Sequence, residues 1–375
     1  MQCEFFASGR CGSCGWLDRA YPDQLAAKDA ELHALLDVHR PQAWLAPVAS
    51  PEQGFRNKAK MAVLGDAAAP LLGIVNARGE AVSLCDCPLY PAPMQALLRY
   101  LEGWIAEAGL TPYRVDARRG ELKFVLLTRS RASGEFMLRF VLRSEAELPG
   151  LRRALPALLA AFPQVRVVSA NLQPIHMAVL EGEREIALSE EQRLREVFND
   201  VPLYLRPKGF FQTNPSVAEA LYATARAWVR ELPASVVWDL FCGVGGFGLH
   251  CATAQTRLVG IEVEAEAIAC ARASAEEIGL PQVEFAALDS AEFVAQGRER
   301  PDVVIVNPPR RGLGEALCER LVGVSPTHIL YSSCNPTTLA RDLARLTGYR
   351  LDRVQLFDMF PHTSHYEVLV RLSRT

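Results

Sequence analysis

Several features are missing from this sequence, and each absence excludes a class of protein. No apolar run reaches the length of about 18 residues that a membrane-spanning helix needs, and the N-terminus lacks the apolar core of a secretory signal peptide. There is no internal repeat, and no low-complexity segment beyond the alanine cluster at residues 67–69. The net charge of −3 gives no global sign of nucleic-acid binding. We therefore expect a cytoplasmic protein that contacts no membrane.

The length of 375 residues exceeds what one ordinary core accommodates. We expect a cysteine-rich region at 1–90 that is interleaved with a central domain, an α+β domain at 91–205, and an α/β domain at 206–375. In the last range, short apolar runs alternate with helical segments, which is typical of a doubly wound parallel sheet. The expected strands are 236–240, 258–261, 283–285, 303–306 and 329–331, followed by a terminal antiparallel pair at 353–357 and 366–371.

A glycine-rich stretch follows the first of these strands. Gly243, Gly245 and Gly248 satisfy G-x-G-x-x-G, a turn in which the backbone approaches a ligand without an intervening Cβ. Glu262 follows Gly243 by 19 residues, at the end of the next apolar run, where a carboxylate can accept hydrogen bonds from ribose hydroxyls. The pattern predicts a nucleoside-containing cofactor, but it fits a dinucleotide and S-adenosylmethionine equally.

Two further motifs stand at the carboxyl ends of strands in the same predicted sheet. Asn307-Pro308-Pro309-Arg310 resembles a motif of enzymes that methylate amino groups, but those have an aromatic residue where this chain has Arg310, which disfavours that chemistry. Cys334 lies in a polar turn after the run at 329–331, a position typical of a nucleophile. The alternatives are a proline-stiffened loop and an ordinary structural cysteine.

Glu367 directly precedes the apolar run Val-Leu-Val in the last predicted strand. A carboxylate in a partly dry place has a raised pKa and can accept a proton at neutral pH. His362 and His365 are alternatives for that role. We therefore expect Cys334 as nucleophile and one of these three groups as general base.

Five of the ten cysteines lie in the first quarter of the chain, at positions 3, 11, 14, 85 and 87. In a reducing compartment such clustering indicates a metal site before disulfides. Four thiolates suit either zinc or a [4Fe–4S] cluster, and spacing alone slightly favours zinc.

Local charge differs from the global balance. Residues 114–143 contain eight Arg or Lys (114, 118, 119, 123, 129, 131, 139 and 143) against three acids (116, 121 and 135), an excess of five. The same range alternates apolar and polar residues on either side of Ser133-Gly134, which predicts a hairpin. We expect this basic segment to contact a nucleic acid.

Taken together, the motifs resemble those of the RNA uracil-C5 methyltransferase family. The matching pieces are F-F-Q-T-N at 210–214, D-L-F-C-G-V-G-G-F-G-L at 239–249, N-P-P-R at 307–310, S-S-C-N-P at 332–336, H-Y-E-V at 365–368, F-R-N-K-A-K-M at 55–61 and the N-terminal cysteines. The resemblance extends over essentially the whole chain. It implies a class I, Rossmann-like methyltransferase domain at 206–375 and S-adenosylmethionine as cofactor.

The resemblance also implies roles for individual residues. Cys334 would add to C6 of a uridine and Glu367 would remove the C5 proton, while Gln212, Phe241, Gly243, Glu262 and Asn307 would hold S-adenosylmethionine. The family often has Asp where this chain has Asn307, which puts the contact of that residue in doubt. Cys3, Cys11, Cys14 and Cys87 would bind a [4Fe–4S] cluster, with Cys85 as the alternative to Cys87, which precedes Pro88.

The implied substrate is 23S rRNA at the position called 747, as naked RNA or as an assembly intermediate, methylated by a monomeric enzyme. The central domain at 91–205 would contact the RNA. Three rival functions remain open: a transfer-RNA uracil-C5 methyltransferase, a non-catalytic RNA-binding or ribosome-assembly factor, and a nicotinamide dehydrogenase. The four metal-type cysteines disfavour the first, and intact Cys334 and Glu367 disfavour the second.

Overall fold

The structure, a computed structural model, describes residues 1–176, 179–296 and 299–375. The chain divides into two compact units that are each discontinuous in sequence: residues 1–14 with 52–196, and residues 15–51 with 197–375. None of the helices in the described ranges is long and apolar enough to cross a membrane.

The helices of the described ranges are α1 Glu4–Ala7, α2 Tyr21–Leu36, α3 Ala92–Glu107, α4 Leu148–Ala161, α5 Pro215–Arg230, α6 Gly246–Cys251, α7 Ala265–Ile278, α8 Ser290–Ala295, α9 Glu315–Val324 and α10 Pro336–Arg345, with a 3-10 turn at Asp37–His39. The strands are β1 Ala43–Val48, β2 Lys58–Gly65, β3 Pro70–Val75, β4 Ala81–Ser83, β5 Leu122–Arg129, β6 Phe136–Leu142, β7 Val165–Leu172, β8 Arg184–Ala187, β9 Leu194–Phe198, β10 Val201–Leu205, β11 Val236–Leu240, β12 Arg257–Glu262, β13 Val283–Ala287, β14 Val303–Val306, β15 His328–Ser333, β16 Tyr349–Phe357 and β17 Glu367–Arg374.

The first unit is built on a seven-stranded sheet in the order β4-β3-β2-β5-β6-β7-β8. Its strands are antiparallel except for β6 and β7, which run parallel and are joined through α4. Helix α3 places apolar residues at helical spacing (Met94, Leu97, Leu98, Leu101 and Ile105), and all of them are buried in the core that it forms with the sheet. This unit is therefore α+β.

The second unit is built on an eight-stranded mixed sheet in the order β1-β16-β17-β15-β14-β11-β12-β13. The five strands β11 to β15 are parallel, and each has the bounds predicted from sequence to within two residues. Strands β16 and β17 pair antiparallel, as predicted, and β17 also pairs antiparallel with β15. Because β17 runs against its neighbours, the residue at its start lies at the same edge as the carboxyl ends of the parallel strands.

Residues 15–51 differ from the sequence-based division, which placed them with the cysteines. Strand β1 pairs parallel with β16, and Leu32 and Leu36 of α2 are buried in the core of the second unit. β1 contains Pro47, which lacks an N–H donor and is tolerated because this strand is at the edge of the sheet. The apolar residues of 15–51 have their partners some 300 positions later, as in the pairing of Trp44 with Val354, and a local pattern does not reveal such partners.

The predicted hairpin at 113–143 is correct only in its second part. β5 and β6 pair antiparallel across residues 130–135, whereas residues 113–121 form a turn-rich loop that is fixed by the bridge between Arg114 and Arg119. Sequence also predicts a short hairpin at 178–188 around Gly182. Its first residue lies outside the described residues, and only β8 forms in the remainder.

Candidate active site and cysteine cavity

The glycine-rich turn between β11 and α6 is held by a buried carboxylate. Asp239 is fully buried, and its Oδ2 accepts a hydrogen bond of 2.7 Å from the backbone N–H of Gly248. A Cβ at Gly248 would lie 2.8 Å from that oxygen, so that a larger residue would displace the carboxylate. Burial raises the pKa of Asp239 to about 7, although the Gly248 hydrogen bond opposes the shift.

The backbone of this turn adopts unusual conformations for its residues. Phe241 has φ of 61° and Gly243 of 54°, and the value for Phe241 is uncommon for a bulky side chain and is found where a site imposes it. The Glu262 carboxylate accepts hydrogen bonds from the N–H groups of Gly243, at 3.2 Å, and of Val263, at 2.8 Å. The predicted ribose-binding group thus also ties the end of β12 to the turn.

A cleft of about 570 Å³ opens at this edge of the sheet. The five residues predicted to hold the cofactor all line it, namely Gln212, Phe241, Gly243, Glu262 and Asn307. Both residues predicted to be catalytic, Cys334 and Glu367, line it as well. The structure therefore brings together seven positions that span more than 150 residues of sequence.

Sequence reasoning missed other residues of the cleft. Asp289, which caps α8, and Tyr222 of α5 line it, and the exposed Phe210 lies at it beside Gln212. Asp289 had a readable signal, because it stands at the end of an apolar strand and before a helix. The signal for Tyr222 was absent, since its position in α5 resembles an ordinary core position.

The catalytic candidates come together through strand register. Ser333 pairs with Val368 across β15 and β17, so that Cys334 and Glu367 are adjacent at the ends of the two antiparallel strands. Glu367 is 3% exposed, and its Oε1 accepts a 2.7 Å hydrogen bond from Ser332 Oγ. Burial raises the pKa of Glu367 to about 7, and the Ser332 hydrogen bond holds it lower than burial alone would. A carboxyl with this pKa can exchange a proton at neutral pH.

The Cys334 thiol is half-buried beside two opposite charges. Burial and then the Glu367 carboxylate raise its pKa, whereas the Arg310 guanidinium lowers it through its charge and a hydrogen bond. Arg310 therefore favours the thiolate, which is the nucleophilic form. Arg310, which stands where enzymes that methylate amino groups have an aromatic residue, is thus a neighbour of the proposed nucleophile.

The two histidines considered as alternative bases do not line the cleft. His362 is fully buried with φ of 65°, and Gln24 holds it through the His362 backbone N–H and the ring Nδ1. His365 is exposed and lines a neighbouring cavity. Of the three candidate bases, Glu367 alone borders the cleft.

The N-terminal cysteines surround a separate cavity of about 180 Å³ in the first unit. Its lining includes Cys3, Cys11, Cys14 and Cys87, and also the basic residues Arg56 and Lys60. Burial, followed by the thiols of Cys87, Cys11 and Cys3, raises the pKa of Cys14 to about 12. Cys85 does not line this cavity and is buried beside the Leu72 carbonyl. No group of three or more His, Cys, Asp or Glu in the described part of the chain is arranged to hold a metal ion.

Several basic residues of 114–143 have partners inside the first unit. Arg139 is buried and contacts Glu185 at 2.6 Å, and Arg143 pairs with Glu121 at 2.5 Å. The exposed basic residues include Arg118 and Arg119, in the loop that replaces the predicted strand. Arg118 has φ of 52°, an unusual conformation for a side chain of this size. The local basic excess is thus smaller at the surface than sequence predicts.

Known proteins resemble the chain over its whole length. The family described as tRNA (Uracil-5-)-methyltransferase matches residues 203–375. The 23S rRNA (uracil(747)-C(5))-methyltransferase RlmC of Shewanella loihica is 60% identical over 376 residues, which cover 100% of this chain and 99% of the relative. RlmC of Escherichia coli O157:H7 is 58% identical over 372 residues, which cover 99% of each chain.

A solved structure has the same fold. It is that of the Pyrococcus abyssi tRNA (uracil-54, C5)-methyltransferase in complex with S-adenosyl-L-homocysteine, with a TM-score of 0.81 and 28% identity, covering 96% of this chain and 84% of that chain. The α/β class I methyltransferase fold predicted from sequence is thereby confirmed. Given the identity to its relatives over the full length, the chain belongs to the RlmC family of S-adenosylmethionine-dependent RNA uracil-C5 methyltransferases, as its motifs predict.

Proposed function

We propose that the chain transfers a methyl group from S-adenosylmethionine to C5 of a uridine in 23S rRNA, at a site of the 747 type. The observation that carries this proposal is the adjacency of Cys334 and Glu367 in the cleft that also contains the glycine-rich turn. The full-length relatives named as RlmC support the choice of RNA.

The proposed reaction begins at Cys334. Its thiolate adds to C6 of the uracil, which breaks the C5–C6 double bond and moves the electron pair into an enolate, so that C5 becomes nucleophilic. C5 then attacks the sulfonium methyl, and S-adenosylhomocysteine leaves. Glu367 removes the C5 proton, the C5–C6 double bond re-forms, and Cys334 departs as thiolate. Arg310 supports the first and last steps because it favours the thiolate.

The cofactor is proposed to lie along the glycine-rich turn. Gly243 lets the backbone approach it, and Glu262, at the end of β12, accepts hydrogen bonds from the ribose hydroxyls. Gln212, Phe241 and Asn307 complete the wall. Asn307 is neutral, so it contributes hydrogen bonds to cofactor or base without adding negative charge to the cleft.

We further propose that Cys3, Cys11, Cys14 and Cys87 hold a [4Fe–4S] cluster. Four soft thiol donors around one cavity suit such a cluster, and Arg56 and Lys60 beside them would offset its negative charge. The cluster would join the N-terminal segment 1–14 to Cys87 and so stabilise this region, which would also help hold the RNA. We also propose that residues 1–90 hold the cluster, that residues 91–205 contact the RNA and that residues 206–375 carry out the methyl transfer.

A transfer-RNA substrate is the second candidate, because the solved relative and the matching family are both named for transfer RNA. The higher identity to the RlmC relatives favours 23S rRNA. We propose that a monomeric enzyme acts in the cytoplasm on naked 23S rRNA or on an assembly intermediate.

The test is methylation of total RNA from cells that lack the corresponding gene, with labelled S-adenosylmethionine and mapping of the modified nucleotide. We expect 5-methyluridine at one position of 23S rRNA. Label confined to transfer RNA would establish the second candidate instead, and no transfer at all would exclude the enzyme function.

A further inference from the structure

A second cavity, of about 210 Å³, adjoins the cleft. Cys334 and Arg310 line both cavities, so that the proposed nucleophile stands where the two meet. The remaining wall comes from Glu31 of α2, from residues 335–337 after β15, and from residues 364–366 before β17. The reaction described above uses none of these additional residues.

One polar group in this wall has no well-formed hydrogen bond. Tyr366 is 1% exposed, and its buried hydroxyl has no hydrogen-bond partner at good geometry within the described residues. Burial raises the pKa of this phenol, and the nearby Glu31 carboxylate raises it further through its charge and a hydrogen bond whose geometry is poor, so the phenol stays protonated and can donate. A buried polar atom without a good partner is unfavourable, because it has lost its hydrogen bonds to water and gained none in the protein. Such a group at the wall of a cavity points to a ligand that supplies the missing acceptor.

The size and charge of the cavity define the class of ligand. Its volume exceeds that of the ~150 Å³ cavities that hold one benzene ring, so one nucleobase fits. Glu31 can only accept hydrogen bonds and opposes a phosphate, whereas Arg310 can only donate. An edge that combines an amino group with a carbonyl or ring nitrogen satisfies both, and guanine, cytosine and adenine have one. Uracil lacks the amino group.

We propose that this cavity holds the base of a nucleotide next to the target uridine, that Glu31 selects a base with an exocyclic amino group, and that Tyr366 donates a hydrogen bond to an acceptor on the same base. The inference rests on the proposed function. The target uridine must leave its stack to reach Cys334, and its neighbour then loses a stacking partner. Because this cavity and the cleft share Cys334, the nucleotide next to the target uridine can reach the cavity while the uridine occupies the cleft.

The test uses a short RNA that contains the target uridine, and versions of it in which the 5′ or the 3′ neighbour is abasic. Wild-type enzyme, Glu31→Gln and Tyr366→Phe are compared by kcat/KM. We expect one abasic position to lower kcat/KM of the wild type about tenfold. Glu31→Gln should lose a similar factor on the intact RNA but lose nothing further on that abasic RNA, because the partner of the carboxylate is already gone. With uracil at the same position, Glu31→Gln should likewise cause no further loss, because uracil has no amino group for the carboxylate to accept from.

Glu319→Gln is the matched control, since it makes the same chemical change at an exposed position of α9 that lines neither cavity. S-adenosylmethionine affinity should be unchanged in every variant. The proposal is overturned if neither abasic position affects the wild type, or if the losses from Glu31→Gln and from the abasic site multiply. It is also overturned if the loss caused by Glu31→Gln persists on both abasic RNAs and disappears only when the phosphate of the neighbouring nucleotide is replaced by an uncharged linkage, because Glu31 would then act on the backbone and not on the base. Failure of the wild type to methylate the intact RNA would instead count against the proposed function.

Discussion

At the scale of single residues, the site depends on two groups whose pKa values are shifted by their surroundings. Glu367 is buried with a pKa of about 7, and Cys334 lies between this carboxylate and the Arg310 guanidinium. The proton acceptor and the nucleophile are thus adjacent but distinct, and their substitution should stop the reaction at different stages.

Cys334→Ala should bind RNA and cofactor but transfer no methyl, because C5 does not become nucleophilic without the adduct. Glu367→Gln keeps the shape of the side chain but cannot accept the C5 proton. In this variant Cys334 should therefore add to C6 and the methyl should be transferred, but the reaction should stop there. The resulting covalent protein–RNA complex should be visible on denaturing gels. The double variant should form no complex, and normal turnover by Glu367→Gln would assign the base to another group.

Ser332 provides a prediction on pH dependence. As general base Glu367 must be ionised, so we expect kcat to rise with pH through about 7. Ser332 Oγ donates to the carboxylate and so favours its charged form. Ser332→Ala should raise the pKa of Glu367 and move this limb upward by about one pH unit. Ser333→Ala is the matched control, because that hydroxyl donates to the Asn335 carbonyl and not to Glu367. If Ser332→Ala leaves the pH dependence of kcat unchanged, the rise of kcat near pH 7 does not report the ionisation of Glu367.

A site residue can be predicted from the sequence when the features that place it are close to it in the chain. The location of Cys334 and Glu367 at the edge of the sheet could be predicted, because each of them borders an apolar run, whereas their proposed roles came from the resemblance to the family. Tyr366 and Glu31 could not be predicted, because they are 335 positions apart in sequence (366 − 31) and only the fold brings them to one cavity. His362 is a candidate base from sequence because it lies near Glu367, but it is buried and hydrogen-bonded to Gln24, which gives it a structural role.

At the scale of elements, α2 is joined to the loop before β17 by a buried ion pair. Lys28 and Asp358 are both fully buried, with Nζ and Oδ1 2.6 Å apart. Lys28 also donates to the Phe360 carbonyl, and Tyr21 donates to the other oxygen of Asp358. Phe360 lines the cleft, so this pair fixes a segment that borders the active site.

Lys28→Met should destabilise the protein by about 3–5 kcal/mol, because it leaves the Asp358 carboxylate buried without a cation. The double variant Lys28→Met, Asp358→Asn removes both charges and keeps an acceptor for Tyr21, so it should recover most of that loss. Urea unfolding followed by circular dichroism measures both. A single variant as stable as the wild type would show that the pair contributes nothing to this loop.

The local sequence pattern predicted some of the strands and missed or misplaced others. The parallel strands β11 to β15 could be predicted because each contains a short apolar run; the edge strand β13 is only partly buried, whereas most residues of the other four are buried. β1 was not recognised, since Pro47 weakens the strand signal, and its pairing with β16 is what forms it. Residues 113–121 alternate in polarity like a strand, but Gly120, with φ of 94°, turns the chain there.

At the scale of the whole molecule, each unit draws on two separate parts of the chain. Segment 1–14 contributes three of the four cysteines around the cavity, and its one helix has four residues and no buried side chain. A segment with so little core of its own depends on other links. We therefore expect its order to depend on the proposed cluster.

Protein purified without oxygen should absorb broadly near ~400 nm and contain about four irons per chain. Cys87→Ala should lose most of the iron, whereas Cys85→Ala, the matched control two residues away and outside the cavity, should keep it. Loss of the cluster should also make residues 1–14 the first site of limited proteolysis. Stoichiometric zinc without iron would contradict this assignment.

RNA affinity is a property of the whole molecule, because a chain with net charge −3 must attract a polyanion through a local surface. Arg118 and Arg119 are exposed in the loop at 113–121, and Arg152 and Arg153 are exposed on α4. Reversing either pair to Glu changes the net charge by the same four units, from −3 to −7. The two double variants therefore separate a local contact from a general charge effect.

Arg118→Glu with Arg119→Glu should weaken RNA binding more than Arg152→Glu with Arg153→Glu does, and should reduce the salt dependence of the binding constant. Two lost phosphate contacts lower the slope of log K against log salt by about 1.4–1.8. Cofactor affinity should not change, because neither pair lines the cleft. The measurement is RNA binding at several salt concentrations. Equal losses and equal slopes for the two variants would show that the loop makes no specific contact, and that only net charge had weakened the complex.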